Sequence, residues 1–513
     1  MAHIVVGEER IESKELNERI ARATSGFRSL GVGLGDGVAM CLRNDVEFLE
    51  VSLGAGALGG YAIPINWHFS ADEIAYVLTD SGAKALVIHA DLLPNVRDVL
   101  PSGVTVLGVP TSPAIRSAYG LTEEAGTVPP DVVNWSSWLE EWEPATEAAT
   151  EMPLAIFYTS GTTGRPKGVQ RPPFGPAQLA AFQRMTAIDY GLDVFDDPSE
   201  ITTAVVGPVY HAAPNAHAIT SYRAGAKVVI MPRFDAEGLL RLVETERITH
   251  LHMVPVMFNR LLKLPESTRR KYDLSSLRFV SHAAAPCAPD VKRAMIDWWG
   301  PIINEYYGAT EVGNVTFCTT EEWLAHPGTV GKPIDGAEVL ILDDRGEPLG
   351  PNEIGEIACR YEGMDNFTYH RDPDKRSSVD RGGLTAPGDV GYLDEGGFLF
   401  ICDRKVDMVI SGGVNIYPAE IEATLALMPG VADAAVFGVP DDEFGEAVCA
   451  FIRPLPECNL DTESVQNYLR ERIAGYKVPR QIHFRDELPR EDSGKIFKRK
   501  LREPFWAHAG RAI

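Results

Sequence analysis

Long apolar runs are missing from this chain, and so are cysteine pairs, internal repeats and any excess of basic charge. In 513 residues that are 45% hydrophobic, no uninterrupted apolar stretch approaches the roughly 18 residues of a membrane-crossing helix. The seven cysteines, at 41, 287, 318, 359, 402, 449 and 458, are scattered with no CxxC spacing, which argues against zinc ribbons and a disulfide framework. Lys plus Arg number 48 against 72 Asp plus Glu, a net charge of −24, so there is no field to draw in nucleic acid or an anionic membrane. The opening residues MAHIVVGEERIESKEL place acidic groups where a secretory leader needs a basic and then apolar start. The expectation is a cytoplasmic protein of more than one domain, in which anionic ligands are held by local cations and backbone N–H groups.

What is present is an alternation of helical and strand patterns. Leu16, Ile20, Ala23, Phe27 and Leu30 fall on one helical stripe, and 38–42, 85–88, 104–107 and 227–231 are short apolar runs that read as buried strands. Strands separated by helices predict an α/β protein with parallel sheets covered on both faces. The acidic, Pro-rich stretch 110–151 is expected to cross the surface as a connection. Residues 388–392 and 396–401 read as a hairpin. Beyond it, helices over 419–427 and 463–473 and strands over 434–438, 447–453 and 481–484 predict a small α+β domain. The boundary is placed after Arg404, giving domains 1–404 and 405–513.

Residues 158–168 read YTSGTTGRPKG, directly after the apolar run LAIF. A strand delivers this loop, Gly161, Gly164 and Gly168 let backbone N–H groups approach an anion, and Thr159, Ser160, Thr162 and Thr163 add hydroxyl donors. Lys167 supplies charge. The loop is not a P-loop, which needs GxxxxGK[ST] opening a helix; here Pro166 and Gly168 argue against an immediate helix. Taken alone, a Ser/Thr/Gly surface turn is the competing reading.

This string resembles the phosphate loop of the adenylate-forming superfamily, which includes acyl-CoA and aryl-CoA synthetases, luciferases and peptide-synthetase adenylation domains. Further motifs follow in that family's order: YYGATE at 306–311, GD at 388–389, DRK at 403–405, SGG at 411–413 and the segment LPREDSGKI at 488–496. The resemblance implies ATP, Mg²⁺, coenzyme A and a small-molecule carboxylic acid. It also implies a large N-terminal domain of stacked β-sheets flanked by helices, with a small β-barrel-like subdomain, and a small mobile α+β C-terminal domain. By the same resemblance Tyr307 stacks on adenine, Thr310 touches the α-phosphate, Glu311 binds Mg²⁺, and Asp389 with Arg404 clamps the ribose. Ser411, Gly412 and Gly413 line a tunnel for the pantetheine arm, and Lys495 is the adenylating lysine. His211, in PVYHAAPN, flanks the carboxylate, and Ala284 lies in the SHAAAP segment where relatives carry a glycine-rich turn.

Several residues depart from that pattern. His282 and its alanines replace the small turn residues and are expected to narrow the acid pocket, for which His211, Ala212, Asn215, Ala284 and Val312 are the candidate walls. Val406 stands where the family usually has a hinge Asp or Lys, so rotation is expected to pivot near Asp407. His250 and His252 look like a metal pair, yet their apolar surroundings favour buried structural groups. Lys498, Arg499, Lys500 and Arg502 read as a solvated helix face. A medium- or long-chain fatty acid is the first expectation for the substrate, with an aryl, phenylpropanoid or steroid side-chain acid next. A loader of a carrier protein and a non-catalytic ATP-binding protein are the rival functions, and a homodimer is the default oligomer.

Overall fold

The apolar runs are continuous, rather than alternating with polar residues, because each of these strands is covered on both faces. A computed structural model of the chain describes residues 3–147, 153–159, 166–364, 366–441, 443–456, 458–490 and 496–507. Along the strand Gly37–Cys41, Val38 and Met40 point into one core while Ala39 and Cys41 point into another. In Lys227–Ile230, Val228 and Ile230 likewise share the first core and Val229 enters a third. Successive side chains of a pleated strand face opposite ways, so a doubly covered strand has no polar side.

Two largely parallel sheets enclose that first core. One has five strands, in the order Tyr61–Pro64, Gly37–Cys41, Ala85–His89, Thr105–Val109 and Val133–Asn134. The other has nine, with Ile303–Ala309, Phe279–His282, His250–Met253, Thr202–Val205, Lys227–Ile230 and His3–Val6 running parallel through its middle. Helices Ser13–Ser29, Glu47–Gly56 and Ala212–Ala224 contribute to the core between them. The small barrel-like part corresponds to a six-stranded antiparallel sheet that ends in Asp389–Leu393 and Leu399–Arg404. The small C-terminal domain forms its own five-stranded sheet, with Val431–Asp441 and Gly445–Pro454 as its long pair. Among the described residues no helix is long and apolar enough to cross a membrane.

The stretch 110–151 is not merely a surface connection. It contains the helix Trp135–Glu140, whose Trp135 is 1% exposed and donates from Nε1 to Glu50 Oε2 at 2.6 Å. Trp138 lies against Gly26, where a β-carbon would come within 2.4 Å of the indole ring. Burying two large aromatic rings outweighs the polar flanks that dominate the composition of this stretch.

Candidate active site

Four parallel strands of the nine-stranded sheet end at one edge, and the loops that leave them there build a cleft. Thr202–Val205 runs into Gly207 to His211, His250–Met253 into Val254 and Pro255, Phe279–His282 into Ala283 to Pro286, and Ile303–Ala309 into Thr310 and Glu311. Crevices outside the carboxyl ends of parallel strands are where open α/β sheets bind ligands. The cleft, of about 3350 Å³, lies between this edge, the six-stranded sheet and the small domain. A pocket for one small ligand is typically about 300–1,000 Å³, so this one has room for several substrates at once.

Thr159 and Lys167 both line the cleft and are cross-strand partners in the hairpin of Phe157–Thr159 and Lys167–Gln170. Both ends of the glycine-rich loop are therefore fixed at one point of the wall. Burial, and then the charge of Lys375, lowers the proton affinity of Lys167. Ser160, Gly161, Thr162, Thr163 and Gly164 lie outside the described residues, as does Lys495. Arg490 and Ile496, the nearest described neighbours of Lys495, pair in a β-bridge and line the cleft.

Two residues that sequence reasoning missed hold the Thr310–Glu311 turn. Arg171 is 6% exposed and donates from Nη2 to Thr310 O at 2.9 Å and to Glu311 O at 2.6 Å. Burial brings its pKa down to about 10, opposed by Glu311, so it stays charged at neutral pH. Tyr369 donates its hydroxyl to Glu311 Oε1 at 2.9 Å. The only sequence signal for Arg171 was a lone cation in the connection GVQRPPF, just after the loop.

Asp389 and Arg404 face each other across the strands Asp389–Leu393 and Leu399–Arg404. Arg404 Nε lies 2.9 Å from Asp389 Oδ1, while Asp389 Oδ2 accepts the Tyr307 hydroxyl at 2.7 Å. The Asp389 charge raises the pKa of Arg404, and burial, reinforced by Asp389, pushes that of Tyr307 well above the usual phenol range. Gly308 sits at a bulge where a β-carbon would lie 2.3 Å from Gly313 O, so the position requires glycine. Ala284 lines the cleft at φ 72, a left-handed conformation that costs a side-chain-bearing residue about 1–2 kcal/mol. His211 lines the cleft from the N-cap position of Ala212–Ala224, its ring 4.5 Å from that of Tyr210.

Other expected residues lie elsewhere. Ser411, Gly412 and Gly413 form the tip between the strands Val409–Ser411 and Val414–Ile416, with φ 57 and 82 at the two glycines, the positive pair of a type I′ turn. None of the three is among the described residues lining the cleft. Val406 is exposed in the turn 405–407, where the Asp407 N–H donates to Arg404 O at 3.0 Å. Ala212 and Asn215 line the cleft with His211, but Val312 is buried in the core behind it. His282 does not narrow the cleft: it is fully buried, with Nε2 3.3 Å from Glu305 Oε2, which also takes Lys292 Nζ at 2.6 Å. Burial, and then the charge of Lys292, pushes its pKa well below the usual imidazole range, so the ring sits in the core as a neutral group.

His250 and His252 are buried, bonded through Nε2 to Gly191 O at 2.9 Å and to the Tyr306 hydroxyl at 2.7 Å. Burial holds both pKa values near 4, so both are neutral hydrogen-bonding groups. The basic C-terminal helix needs correction too. In Lys498–Trp506, Lys498 Nζ bonds Glu422 Oε1 at 2.8 Å and Arg502 lies 3.8 Å from Asp407, both residues lining the cleft. One turn apart on the helix, they share the face turned toward those carboxylates. Burial alone would lower the pKa of Lys498, but Glu422, Asp407 and Asp403 together raise it. Arg499 and Lys500 are exposed.

Comparison with known proteins bears on what this cleft is. The chain matches the family described as AMP-binding enzyme over residues 2–365 and the AMP-binding enzyme C-terminal domain over residues 420–495. It is 33% identical over 493 residues to a feruloyl-CoA synthase of Amycolatopsis sp, covering 96% of this chain and 93% of the relative. It is 30% identical over 504 residues to the long-chain-fatty-acid–CoA ligase FadD13 of Mycobacterium tuberculosis, covering 97% and 94%. The crystal structure of ATP-bound MatB from Rhodopseudomonas palustris matches with a TM-score of 0.81 at 28% identity, over 99% of this chain and 97% of MatB. With both domains matched and the relatives nearly equal in length, the chain belongs to the AMP-binding enzymes of the adenylate-forming superfamily, the group of the acyl-CoA synthetases.

Proposed function

We propose that this enzyme joins a carboxylic acid to coenzyme A in two half-reactions. The carboxylate attacks the α-phosphate of ATP, pyrophosphate leaves and an acyl-AMP forms; the CoA thiolate then attacks the acyl carbon and AMP leaves. The observation that carries this reading is the meeting, in one cleft, of the linked Tyr307, Asp389 and Arg404 with Lys167 and Glu311.

Each group suits what it would meet. Asp389 oxygens keep lone pairs beyond their bonds to Arg404 and Tyr307, so they can accept from both ribose hydroxyls. The Tyr307 ring offers adenine a flat surface, and Thr310 a hydroxyl for the α-phosphate. Lys167, Thr159 and the loop 160–164 would hold the β- and γ-phosphates, giving the Lys167 ammonium the anionic partner that its partly buried position beside Lys375 favours. Glu311, oriented through Oε1 by Tyr369, has its second oxygen for Mg²⁺, an oxygen-seeking cation that offsets phosphate charge. Lys495 would stabilise the charge that develops as the acid attacks. The division into 1–404 and 405–513 belongs to the same proposal: the second domain turns at 405–407, withdrawing Lys495 and bringing Ser411, Gly412 and Gly413 to the cleft for the pantetheine arm.

For the acid, the aromatic lining favours a ring-bearing body over the medium or long fatty chain that sequence put first. Tyr190, His252 and Tyr306 line one wall, their ring centroids 5.7 to 6.4 Å apart, and the Tyr190 hydroxyl donates to Ala213 O near His211 at 3.3 Å. A ring packs edge-on or offset against such aromatic walls. The fatty reading keeps support in Leu192, Ile219, Val256 and Met257, which line the same cleft. A panel of alkyl, aryl, phenylpropanoid and steroid side-chain acids, with ATP and CoA and AMP release as readout, tests both. Ring acids should lead alkyl acids of equal carbon number by about tenfold or more in kcat/KM. Acyl-AMP made without CoA turnover would favour a carrier-protein loader, and no acid-dependent pyrophosphate release from any acid would remove the ligase reading.

A further inference from the structure

The five-stranded sheet has a crevice of its own, and it is filled. Its strand order places Gly37–Cys41 between Tyr61–Pro64 and Ala85–His89, a reversal of the kind beside which open sheets bind ligands. At the carboxyl ends of these strands, Arg43 makes an ion pair with Asp91 at 2.7 Å and donates its backbone N–H to His89 Nδ1 at 3.0 Å. Asp45 Oδ1 accepts from the Val46 N–H at 2.9 Å. Between Arg43 and Asp45 stands Asn44, 2% exposed, which reaches out of its own sheet altogether.

The Asn44 amide is spent on the other sheet. Nδ2 donates to Gly207 O at 2.9 Å and to Met231 O at 3.1 Å, and Oδ1 accepts from the Val209 N–H at 3.0 Å. These backbone groups follow the strands Thr202–Val205 and Lys227–Ile230, so one side chain ties together the ends of two neighbouring parallel strands. The accepting bond from Val209 also fixes which way round the amide lies. Asn215, also 2% exposed, donates from Nδ2 to Val209 O at 2.9 Å. The peptide groups of Val209 are thus held on one side by the far sheet and on the other by the wall of the cleft. Tyr210 and His211 come next, with the Tyr210 ring set edge-on to Trp67 at 4.5 Å.

We propose that Asn44 is a positioning residue for the acid: acting through Val209, it sets where Tyr210 and His211 stand, and so determines which acids fit. The inference rests on the reading above that the acid lies beside His211. Asn44 touches no substrate, and the plugged crevice of one sheet serves to hold the open crevice of the other.

The test is a pair of variants read for acid and nucleotide separately. Asn44→Asp keeps the shape and the acceptor for Val209 but loses both donations, and Asn44→Ser is the second variant should the first not fold. The expected result is a KM for the acid raised roughly tenfold or more, as displaced positioning groups give, with an altered ranking across the acid panel and a KM for ATP that barely moves. Combining Asn44→Asp with Asn215→Ala should cost less than the product of the two single losses, because both act through Val209. Equal increases in the KM for acid and ATP, an unchanged acid ranking, or strictly multiplicative losses would each overturn the proposal. If the wild type shows no acid-dependent pyrophosphate release, the ligase reading fails separately. Calorimetric binding of the panel acids to the AMP-bound protein then decides the role of Asn44: weaker acid binding with unchanged AMP binding supports it, and unchanged or absent acid binding removes it.

Discussion

The two walls of the cleft are built on different principles. On the large-domain wall, neutral partners hold much of the charge: Arg171 is held by two backbone carbonyls and Glu311 by a tyrosine hydroxyl, while Asp389 takes a tyrosine hydroxyl as well as Arg404. On the small-domain wall, Lys498 and Arg502 are matched to Glu422 and Asp407 of their own domain, and a described contact across the divide is the bond from Lys263 Nζ to Ala432 O at 2.7 Å. A network of buried dipoles is costly to break and holds one geometry. Exposed contacts between domains are weak and re-form readily. The difference suits a fixed binding wall facing a removable one.

Replacing the proposed adenylating lysine of the small domain should have the largest effect. Lys495→Ala is expected to slow acyl-AMP formation by roughly 10²–10³, as loss of preorganised charge does, and to slow thioester formation from supplied acyl-AMP far less. Single-turnover measurement of each half-reaction checks this. Equal losses in the two would mean that the small-domain wall contributes to binding as much as to chemistry, and the contrast between the walls would collapse.

The fixed wall should fail differently. Arg171→Met leaves two part-buried carbonyls without this donor, a loss of about 1–2 kcal/mol, or roughly 10-fold in kcat/KM for ATP. Arg171→Lys should recover little of it, since an ammonium lacks the planar fork of a guanidinium. Both half-reactions should suffer, because on the proposed function the AMP moiety would lie against this wall in each. Rescue by lysine would show that charge matters there and geometry does not.

Legibility in the sequence follows the same divide. The buried strands were readable because double coverage writes an uninterrupted apolar run, and the expected strand 481–484 coincides with the observed Gln481–Phe484. Asp389, Arg404, Tyr307 and Glu311 were readable because each sits in a short motif. Arg171, Tyr369 and Asn44 were not, because their partners are backbone groups or side chains 58 to 187 positions away, a pairing that no local pattern records. Trp135 and Trp138 were hidden by composition: acidic and proline neighbours outvoted two aromatic rings. Lys498 and Arg502 were misread, while Arg499 and Lys500 are exposed as expected, because a run of Lys and Arg looks solvated until the carboxylates opposite it are known.

A smaller effect is expected where Tyr369 orients Glu311. Tyr369→Phe removes one hydroxyl and leaves the carboxylate in place, so the Mg²⁺ concentration for half-maximal acyl-AMP formation should rise by about tenfold at most. Titrating Mg²⁺ at saturating ATP measures it. No change would mean that Glu311 is held well enough by the bond of its backbone carbonyl to Arg171, without the Tyr369 hydroxyl.

The smallest effect on turnover, and the sharpest contrast, comes from two carboxyl groups, Asp189 behind the large-domain wall and Glu422 in the small-domain wall. Asp189 is fully buried with the neutral Asn314 amide as partner at 2.5 Å, and burial raises its pKa from 3.8 to about 8. The folded state therefore binds this proton more tightly than the unfolded state. The stability it contributes is fully present below about pH 4 and is lost as pH rises through about 8. Asp189→Asn cannot lose that proton, so the variant should gain on the parent in urea midpoint steadily from pH 4 to 8 while turnover stays nearly unchanged. Glu422 is also raised by burial, but the Lys498 ammonium opposes the shift. Glu422→Gln leaves that ammonium without its nearest anion, which should lower the urea midpoint across the same pH range. Opposite signs from two carboxyl-to-amide changes would show that Asp189 is secured by a neutral bond and Glu422 by charge; the same sign from both would show that burial alone, and not the partner, governs the two groups.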